Sequence, residues 1–124
     1  MIDLIRQVKI YIQNNMAYIR YSTDIAHAIG FSYETLRKKF RKEEGISLGR
    51  YLTLQRVETA KLLLQTTELK CYEICHRVGF PCQVTGCRIF KKYTGWSMAE
   101  YRQIFQKKNN MPDNALQEKG ALIW

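Results

Sequence analysis

The stretch that decides the fold runs from Ile74 to Arg102 and reads I-C-H-R-V-G-F-P-C-Q-V-T-G-C-R-I-F-K-K-Y-T-G-W-S-M-A-E-Y-R. An earlier stretch nearly repeats it, first at an offset of 49 residues and then, after one inserted residue, at an offset of 50. The residues matched at offset 49 are Ile25, Ala26, Ile29, Gly30 and Phe31 with Ile74, Cys75, Val78, Gly79 and Phe80. Those matched at offset 50 are Leu36, Phe40, Gly45, Ser47 and Tyr51 with Gly86, Phe90, Gly95, Ser97 and Tyr101. A period of this size predicts one supersecondary unit used twice.

The first unit has the pattern of two short helices joined by a glycine turn. Residues 22–24 are good N-cap types, and Gly30 fits the C-cap of the helix that follows them. We expect Phe31 to fold back onto that helix. Ser32 then caps a second helix from Tyr33 to about Lys42, with an apolar stripe on one face and basic residues on the other. This pattern is typical of a helix-turn-helix.

The second unit repeats the pattern, and further helices join and flank the two units. Its helices are predicted from about Cys71 to Arg77 and from about Gln83 to Tyr93. An amphipathic helix precedes the first unit, and a capping box from Ser97 to Glu100 opens a last helix through Phe105. A helix from Leu48 to about Gln65 joins the units. At ~1.5 Å per residue it forms a rod of roughly 27 Å, against ~34 Å for one turn of DNA.

We therefore predict an all-α chain with two helix-turn-helix subdomains joined by a long linker helix. The predicted segments are residues 1–47 for the N-terminal helix and first unit, 48–66 for the linker, 67–108 for the second unit and last helix, and 109–124 for a flexible tail.

Composition narrows the class of protein. The chain has 124 residues, 46% of them hydrophobic, and a formal net charge of +9. A basic balance suggests nucleic acid or an anionic membrane surface as partner, although a small domain that is simply basic would have the same charge. No apolar run is long enough to span a membrane, and the N-terminus has no secretory signal pattern. We expect a cytoplasmic protein whose four cysteines are thiols.

The motifs resemble the DNA-binding domain of the AraC/XylS family of bacterial transcription regulators. The resemblance rests on I-A-x-x-I-G-F-S from Ile25, F-R-K-E-E-G-I-S-x-x-x-Y-L from Phe40, R-V-E-x-A-x-x-L-L from Arg56, and the stretch from Ile74 to Arg102. It implies a homeodomain-like domain whose two recognition helices enter adjacent major grooves of double-stranded DNA. It also implies activation by contact with RNA polymerase, with no cofactor and no membrane. The chain would act as a monomer or as the C-terminal piece of a longer regulator.

Three departures from the family pattern fall in the second unit. Val84-Thr85-Gly86 replaces a more usual Ser-Tyr-Phe, so the core position held by Leu36 in the first unit is expected to lack a side chain. Glycine also costs about 1 kcal/mol in a helix interior. Pro81-Cys82 is a poorer helix start than Ser32, and Met98 replaces the usual proline. We expect the second recognition helix to be the less stable of the two.

The candidate DNA contacts lie opposite the apolar stripes. Arg and Lys suit guanine, Glu can accept from cytosine, Gln suits adenine, and Val or Thr can pack on a thymine methyl. The base-reading candidates are Glu34, Arg37, Lys38, Gln83, Val84, Thr85 and Arg88. The phosphate-binding candidates are Ser32, Arg41, Lys42, Lys91 and Lys92. For any single charged residue, a solvated basic face is the competing interpretation. Arg56, on the linker, is expected to be structural or phosphate-bound.

The cysteines suggest two other functions, and we favour neither. Their spacing, C-x3-C-x6-C-x4-C from Cys71, lacks the C-x2-C pairs of zinc ribbons. Free cysteines also pack well as small apolar residues, so burial in the core is the competing explanation for their presence. We therefore predict no metal site. Residues 74–78 resemble the P-C-H-R-V stretch of DNA alkyltransferases, which makes a cysteine alkyltransferase at Cys75 a remote alternative. The proline is absent and Cys75 should face the core, so we predict no enzyme. The nearer alternative is a non-specific basic DNA-binding module.

Overall fold

The computed structural model describes residues 3–106, and within that range the chain is built of seven α-helices without a strand. The helices are α1 Leu4–Asn15, α2 Ser22–Ile29, α3 Tyr33–Glu44, α4 Leu48–Thr66, α5 Cys71–Val78, α6 Gln83–Thr94 and α7 Met98–Phe105. A 3-10 turn, Met16–Tyr18, lies between α1 and α2. The predicted all-α class is confirmed. The predicted tail, residues 109–124, lies outside the described residues, and the division into four segments stays a prediction.

The repeat in the sequence is also a repeat in the packing. Phe40 and Tyr51 meet edge to face with ring centroids 5.2 Å apart, and their counterparts Phe90 and Tyr101 do the same at 5.4 Å. Serine caps the helices that follow, because the hydroxyls of Ser47 and Ser97 accept backbone N–H bonds in the first turns of α4 and α7. In each unit, the recognition helix is therefore joined to the helix that follows it by the same aromatic pair and the same kind of serine cap.

Helix α2 starts differently from the prediction. Tyr21, not a residue of the range 22–24, is its N-cap. The Asp24 carboxylate lies at the third helical position and accepts the N–H of Tyr21 at 2.9 Å and that of Arg20 at 3.0 Å. The acid caps the helix from inside its first turn, where negative charge is also favoured by the helix dipole.

The linker helix α4 is part of the core and not only a connecting rod. It packs against α2 and α3 of the first unit and against α5, α6 and α7 of the second. Leu52, Val57, Ala60 and Leu64 of α4 are buried, and they belong to one continuous core with the buried residues of both units. The two units therefore share a hydrophobic core, which restricts how they can move relative to each other.

As predicted, Gly86 supplies no side chain at the core position that Leu36 holds in the first unit. The space is filled, because a Cβ added at Gly86 would lie 2.7 Å from Cys75 Sγ and 2.9 Å from the Phe80 ring. Phe80 is 6% exposed, whereas its counterpart Phe31 is 47% exposed. Only the backbone of Phe31 turns back, with its N–H donating to the Ala26 carbonyl oxygen at 3.1 Å. The two units thus fill equivalent space from different sequence positions. That the second recognition helix is the less stable of the two stays a prediction.

Candidate nucleic-acid interface

Helix α3 keeps a polar face free while its other face is buried. Leu36 and Phe40 are fully buried, whereas Glu34 and Lys38 are exposed and Arg37 is half-buried. Arg37 binds Glu34 through two nitrogens, with Nη2 2.7 Å and Nε 3.0 Å from Oε1. Hydrogen bonding and charge from Arg37 lower the pKa of the Glu34 carboxyl. Two of the predicted base-reading residues therefore form an ion pair with each other on the free protein.

Helix α6 presents a face of different chemistry. Gln83 and Arg88 are exposed, and Val84 is 68% exposed, a high value for a large apolar side chain. Thr85 is half-buried, with its Oγ1 3.4 Å from the sulfur of Cys82. Within residues 3–106, no carboxylate forms a salt bridge with Arg88. The guanidinium of Arg88 is therefore available to a ligand, and Val84 offers a methyl surface to an apolar group.

The predicted phosphate-binding residues lie at the ends of the same two helices. Ser32 is exposed at the N-cap of α3, where its Oγ accepts the Thr35 N–H at 3.1 Å. The four lysines and arginines are exposed in the last turns, Arg41 and Lys42 on α3, and Lys91 and Lys92 on α6. Positive charge at these C-terminal turns is favoured by the helix dipole and requires no protein partner. It leaves each helix with a basic end.

The repeat relates these two surfaces position by position. At offset 50, the basic ends are alike, since Arg41 and Lys42 correspond to Lys91 and Lys92. Nearer the start of each helix, Glu34 corresponds to Val84 and Arg37 to Cys87. Thr35 and Lys38, in contrast, are matched by Thr85 and Arg88. The geometry brings the predicted residues of each helix onto one exposed face, but it does not test which of them contact a base. Those assignments stay predictions.

Residues 25–104 match a protein family described as "Helix-turn-helix domain". Over 107 residues, the chain is 34% identical to the arabinose operon regulatory protein of Escherichia coli K12, which covers 86% of this chain and 37% of that protein. Over 100 residues it is 32% identical to the HTH-type transcriptional activator AarP of Providencia stuartii, covering 81% of this chain and 74% of that one. The chain belongs to the AraC/XylS family.

Solved structures of DNA-binding domains and response regulators share this fold. The C-terminal domain of the two-component response regulator yesN from Fusobacterium nucleatum is 34% identical, with a TM-score of 0.73 over 78% of this chain and 95% of that one. The DNA-binding domain of AdpA in complex with a target DNA superposes with a TM-score of 0.80 over 90% of this chain and 100% of that one. At 24% identity, the AdpA match shows the fold alone. The chain spans 37% of the length of the arabinose operon regulator.

Cys75, the residue of the alkyltransferase alternative, does not have the environment that a reactive thiol needs. Cys75 is 2% exposed, and burial raises the pKa of its thiol to about 12, the opposite of what a nucleophile requires. In the part of the chain that the structure describes, no group of three or more His, Cys, Asp or Glu side chains could hold a metal ion. None of the helices within residues 3–106 has both the length and the apolar character needed to cross a bilayer.

Arg56 of α4 is buried, which its charge and its position in the sequence did not indicate. Arg56 is 8% exposed, and its guanidinium donates to the carbonyl oxygens of Met16, which begins the 3-10 turn, and of Ile19, which follows it. Of the two predicted roles, structural or phosphate-bound, the structure supports the structural one. Burial also lowers the pKa of Arg56, although arginine remains charged at neutral pH.

Proposed function

We propose that this chain binds double-stranded DNA at specific sequences and thereby regulates bacterial transcription. Helices α3 and α6 act as the recognition helices and enter adjacent major grooves on one face of the duplex. The proposal is supported by membership of the AraC/XylS family and by the net charge of +9. It is also supported by the likeness in fold to the DNA-binding domain of AdpA, which was solved with its target DNA.

The observation that carries the proposal is the contrast between the two faces of each recognition helix. The buried face is repeated and fixes the position of the helix, because Phe40 and Phe90 make the same aromatic contact in both units. The exposed face is repeated at its basic end and at two of the other positions compared above, and it differs at two more. Repeated basic ends suit phosphates, which are the same everywhere on DNA, and the positions that differ between the two helices suit two different base sequences.

The chemistry of each candidate suggests the base it reads. In α3, Arg37 and Lys38 suit the O6 and N7 atoms of guanine, and Glu34 suits the amino group of cytosine. In α6, Gln83 suits adenine and Arg88 suits guanine, while Val84 and the Thr85 methyl pack on thymine methyls. The phosphate contacts come from Ser32, Arg41, Lys42, Lys91 and Lys92. These contacts position the helices and add affinity without adding specificity.

A selection from a randomised duplex library, at one near-physiological salt concentration, tests the proposal. We expect an enriched motif with two half-sites about 10–10.5 base pairs apart, one for each recognition helix. A single enriched half-site would mean that only one helix reads bases. Tight, salt-sensitive binding without any enrichment would contradict specific recognition and identify a non-specific basic DNA-binding module.

A matched pair of variants then separates base reading from phosphate binding on α6. We expect Arg88→Ala to weaken binding by about 1–3 kcal/mol and to relax the preference at one base pair. Lys91→Ala, on the same helix, should weaken binding about equally for all sequences and reduce the salt dependence by about one ion. If Arg88→Ala behaves like Lys91→Ala, then Arg88 is a phosphate contact.

Three further features of the proposal rest on the family. The chain acts as a monomer in the cytoplasm, where bacterial DNA is accessible, and it activates transcription by contacting RNA polymerase. The relative AarP is named a transcriptional activator, which supports activation. Light scattering of the purified chain would test the monomer. Transcription in vitro from a promoter carrying the selected motif would test activation, and reduced transcript would instead indicate repression.

A further inference from the structure

Besides their shared contacts with α4, the two units approach each other where helix α5 meets the 3-10 turn. Met16 begins the 3-10 turn of the N-terminal half and Ile19 follows it. Arg56 lies near the middle of α4, and Gly79 ends helix α5. We call these four residues the inter-unit joint. It connects the turn that leads into α2 and α3 with the turn that leads into α6.

The approach at Gly79 is too close for any side chain. A Cβ added there would lie 2.3 Å from the Met16 carbonyl oxygen and 3.0 Å from Arg56 Nη2. Gly79 also has a φ of +91°, so α5 ends in the left-handed conformation that glycine adopts most easily. At Gly30, its counterpart in the first unit, φ is +88° but an added Cβ would meet nothing within 4 Å. The close approach is therefore specific to the second unit.

Arg56 lies between the 3-10 turn and Gly79 and contacts the turn. Its guanidinium donates to the carbonyl oxygens of Met16 and Ile19, and it also lines the space behind Gly79. Its Nε has no hydrogen-bond partner within the described residues. Burying a charged group with an unpaired donor costs stability, so this arrangement fixes geometry more than it adds stability.

In addition to the shared hydrophobic core, polar contacts of the second unit reach both ends of α4. Arg102 donates to the carbonyl oxygens of Leu64 and Thr67 at 3.2 and 3.1 Å, and the Arg50 guanidinium lies 5.9 Å from the centre of the Tyr93 ring. These contacts fix the second unit to α4. The joint additionally fixes the second unit to the 3-10 turn, and through that turn to the first unit.

We propose that Arg56 and Gly79 are positioning residues that set the spacing and rotation at which α3 and α6 meet DNA, without contacting DNA themselves. This inference rests on the proposed function, because it presumes that both helices read bases. A rigid joint makes the pair of half-sites a single site of fixed geometry. One added base pair would move a half-site along and around the duplex, so the two helices could no longer both fit their grooves.

The test uses duplexes that carry the two selected half-sites with the spacing changed in steps of one base pair, and duplexes with one half-site only. For the wild-type chain, we expect one inserted base pair to lower affinity about tenfold, the scale of losing one helix's base contacts. For Gly79→Ala, we expect this loss to shrink to about threefold or less. Affinity for a single half-site should change by about twofold or less, because no DNA contact is removed.

Gly30→Ala is the matched control. It places alanine at the same kind of helix end with the same unfavourable φ, but in open space. We expect it to keep the spacing penalty of the wild-type chain. If Gly79→Ala does not fold, as judged by circular dichroism, Arg56→Lys replaces it, since lysine keeps the charge and loses the forked pair of donors. The same reduced spacing penalty is expected.

A folded Gly79→Ala or Arg56→Lys chain with the wild-type spacing profile would overturn the inference, as would a wild-type chain without spacing preference. If the wild-type chain selects no half-sites, the proposed function fails instead. The rigidity of the joint is then measured without DNA, from residual dipolar couplings. We expect α2–α3 and α5–α6 to share one alignment tensor in the wild-type chain and to need two in Gly79→Ala. One shared tensor in both chains would overturn the joint.

Discussion

The two helix-turn-helix units solve the same packing problem in different ways. In the first unit, Leu36 of α3 fills the core and Phe31 is left 47% exposed. In the second unit, the recognition helix carries Gly86 at the equivalent position, and the space is occupied by Phe80 and Cys75. In the second unit, the side chains that fill this space therefore come from the turn and from the preceding helix, and not from the recognition helix. A repeat therefore preserves the shape of its core more strictly than the residue that supplies each part.

The largest predicted difference between the units lies in their turn phenylalanines. Phe80→Ala removes a buried ring and should lower the free energy of unfolding by about 3–5 kcal/mol. Phe31→Ala removes a ring that is already half in solvent and should cost about 1 kcal/mol or less. Urea unfolding of both variants, followed by circular dichroism, measures the two values. Equal losses would mean that the two turns pack alike, contrary to the exposures of the two rings.

The second prediction concerns the glycine that replaces Leu36. Gly86→Ala gains helix propensity of about 1 kcal/mol, but the new methyl overlaps Cys75 and Phe80, and overpacking typically costs about 1–3 kcal/mol. We expect a net loss in the free energy of unfolding. Gly49→Ala is the control, because Gly49 lies in α4 with nothing near its Cβ direction. It should be neutral or stabilising by up to about 1 kcal/mol.

A double variant shows whether Cys75 is the group displaced. Cys75→Ala restores the residue type of Ala26 and removes the sulfur that lies 2.7 Å from the added Cβ. Combined with Gly86→Ala, it should be less destabilised than the sum of the single variants, by about 0.5–3 kcal/mol. Additive losses would show that Phe80 alone limits the space.

Local sequence signals predicted the fold well because they act within a few residues. Ser32 and Gly79 mark helix ends by chemistry that depends only on the adjacent backbone, so the helix order could be predicted. The position of Phe80 could not, because it depends on the absence of a side chain six residues later and on a sulfur five residues earlier. The burial of Arg56 could not be predicted from the sequence either, because its partners Met16 and Ile19 lie 40 and 37 residues away.

The same distinction applies to the candidate interface. Helical periodicity separates the exposed side chains from the buried ones, so exposure could be predicted for both recognition helices. The ion pair between Glu34 and Arg37 shows what periodicity leaves out, because two candidates on one face can bind each other. Which bases are read depends also on the shape of the DNA duplex, and the protein sequence carries no information about that duplex.

The third prediction concerns the caps of the two recognition helices. Ser32 accepts a backbone N–H bond at the start of α3, whereas Cys82 makes no side-chain cap bond at the start of α6. Ser32→Ala should therefore cost about 1 kcal/mol of unfolding free energy. Cys82→Ser should stabilise the chain by about 0.5–1 kcal/mol, since it supplies the missing cap. Thermal unfolding measures both, and Cys82→Ala is the control that removes the thiol without adding an acceptor. A Cys82→Ser chain no more stable than Cys82→Ala would show that α6 is not limited by its cap.

The smallest predicted difference is one of titration. Glu34 pairs with Arg37 in the first unit, so its carboxyl should titrate below the ordinary glutamate pKa, while the second unit carries Val84 at that position. A lowered folded-state pKa means that the pair stabilises the chain above the ordinary glutamate range and is lost as pH falls through the lowered value. Arg37→Ala should return the pKa of Glu34 towards its ordinary value, which carbon NMR of the carboxyl would detect. The pKa of Glu100, lowered by its bonds to Ser97, should not change in that variant. If Glu34 titrates at the same pH with and without Arg37, the ion pair does not persist in solution, and both side chains are free to meet DNA separately.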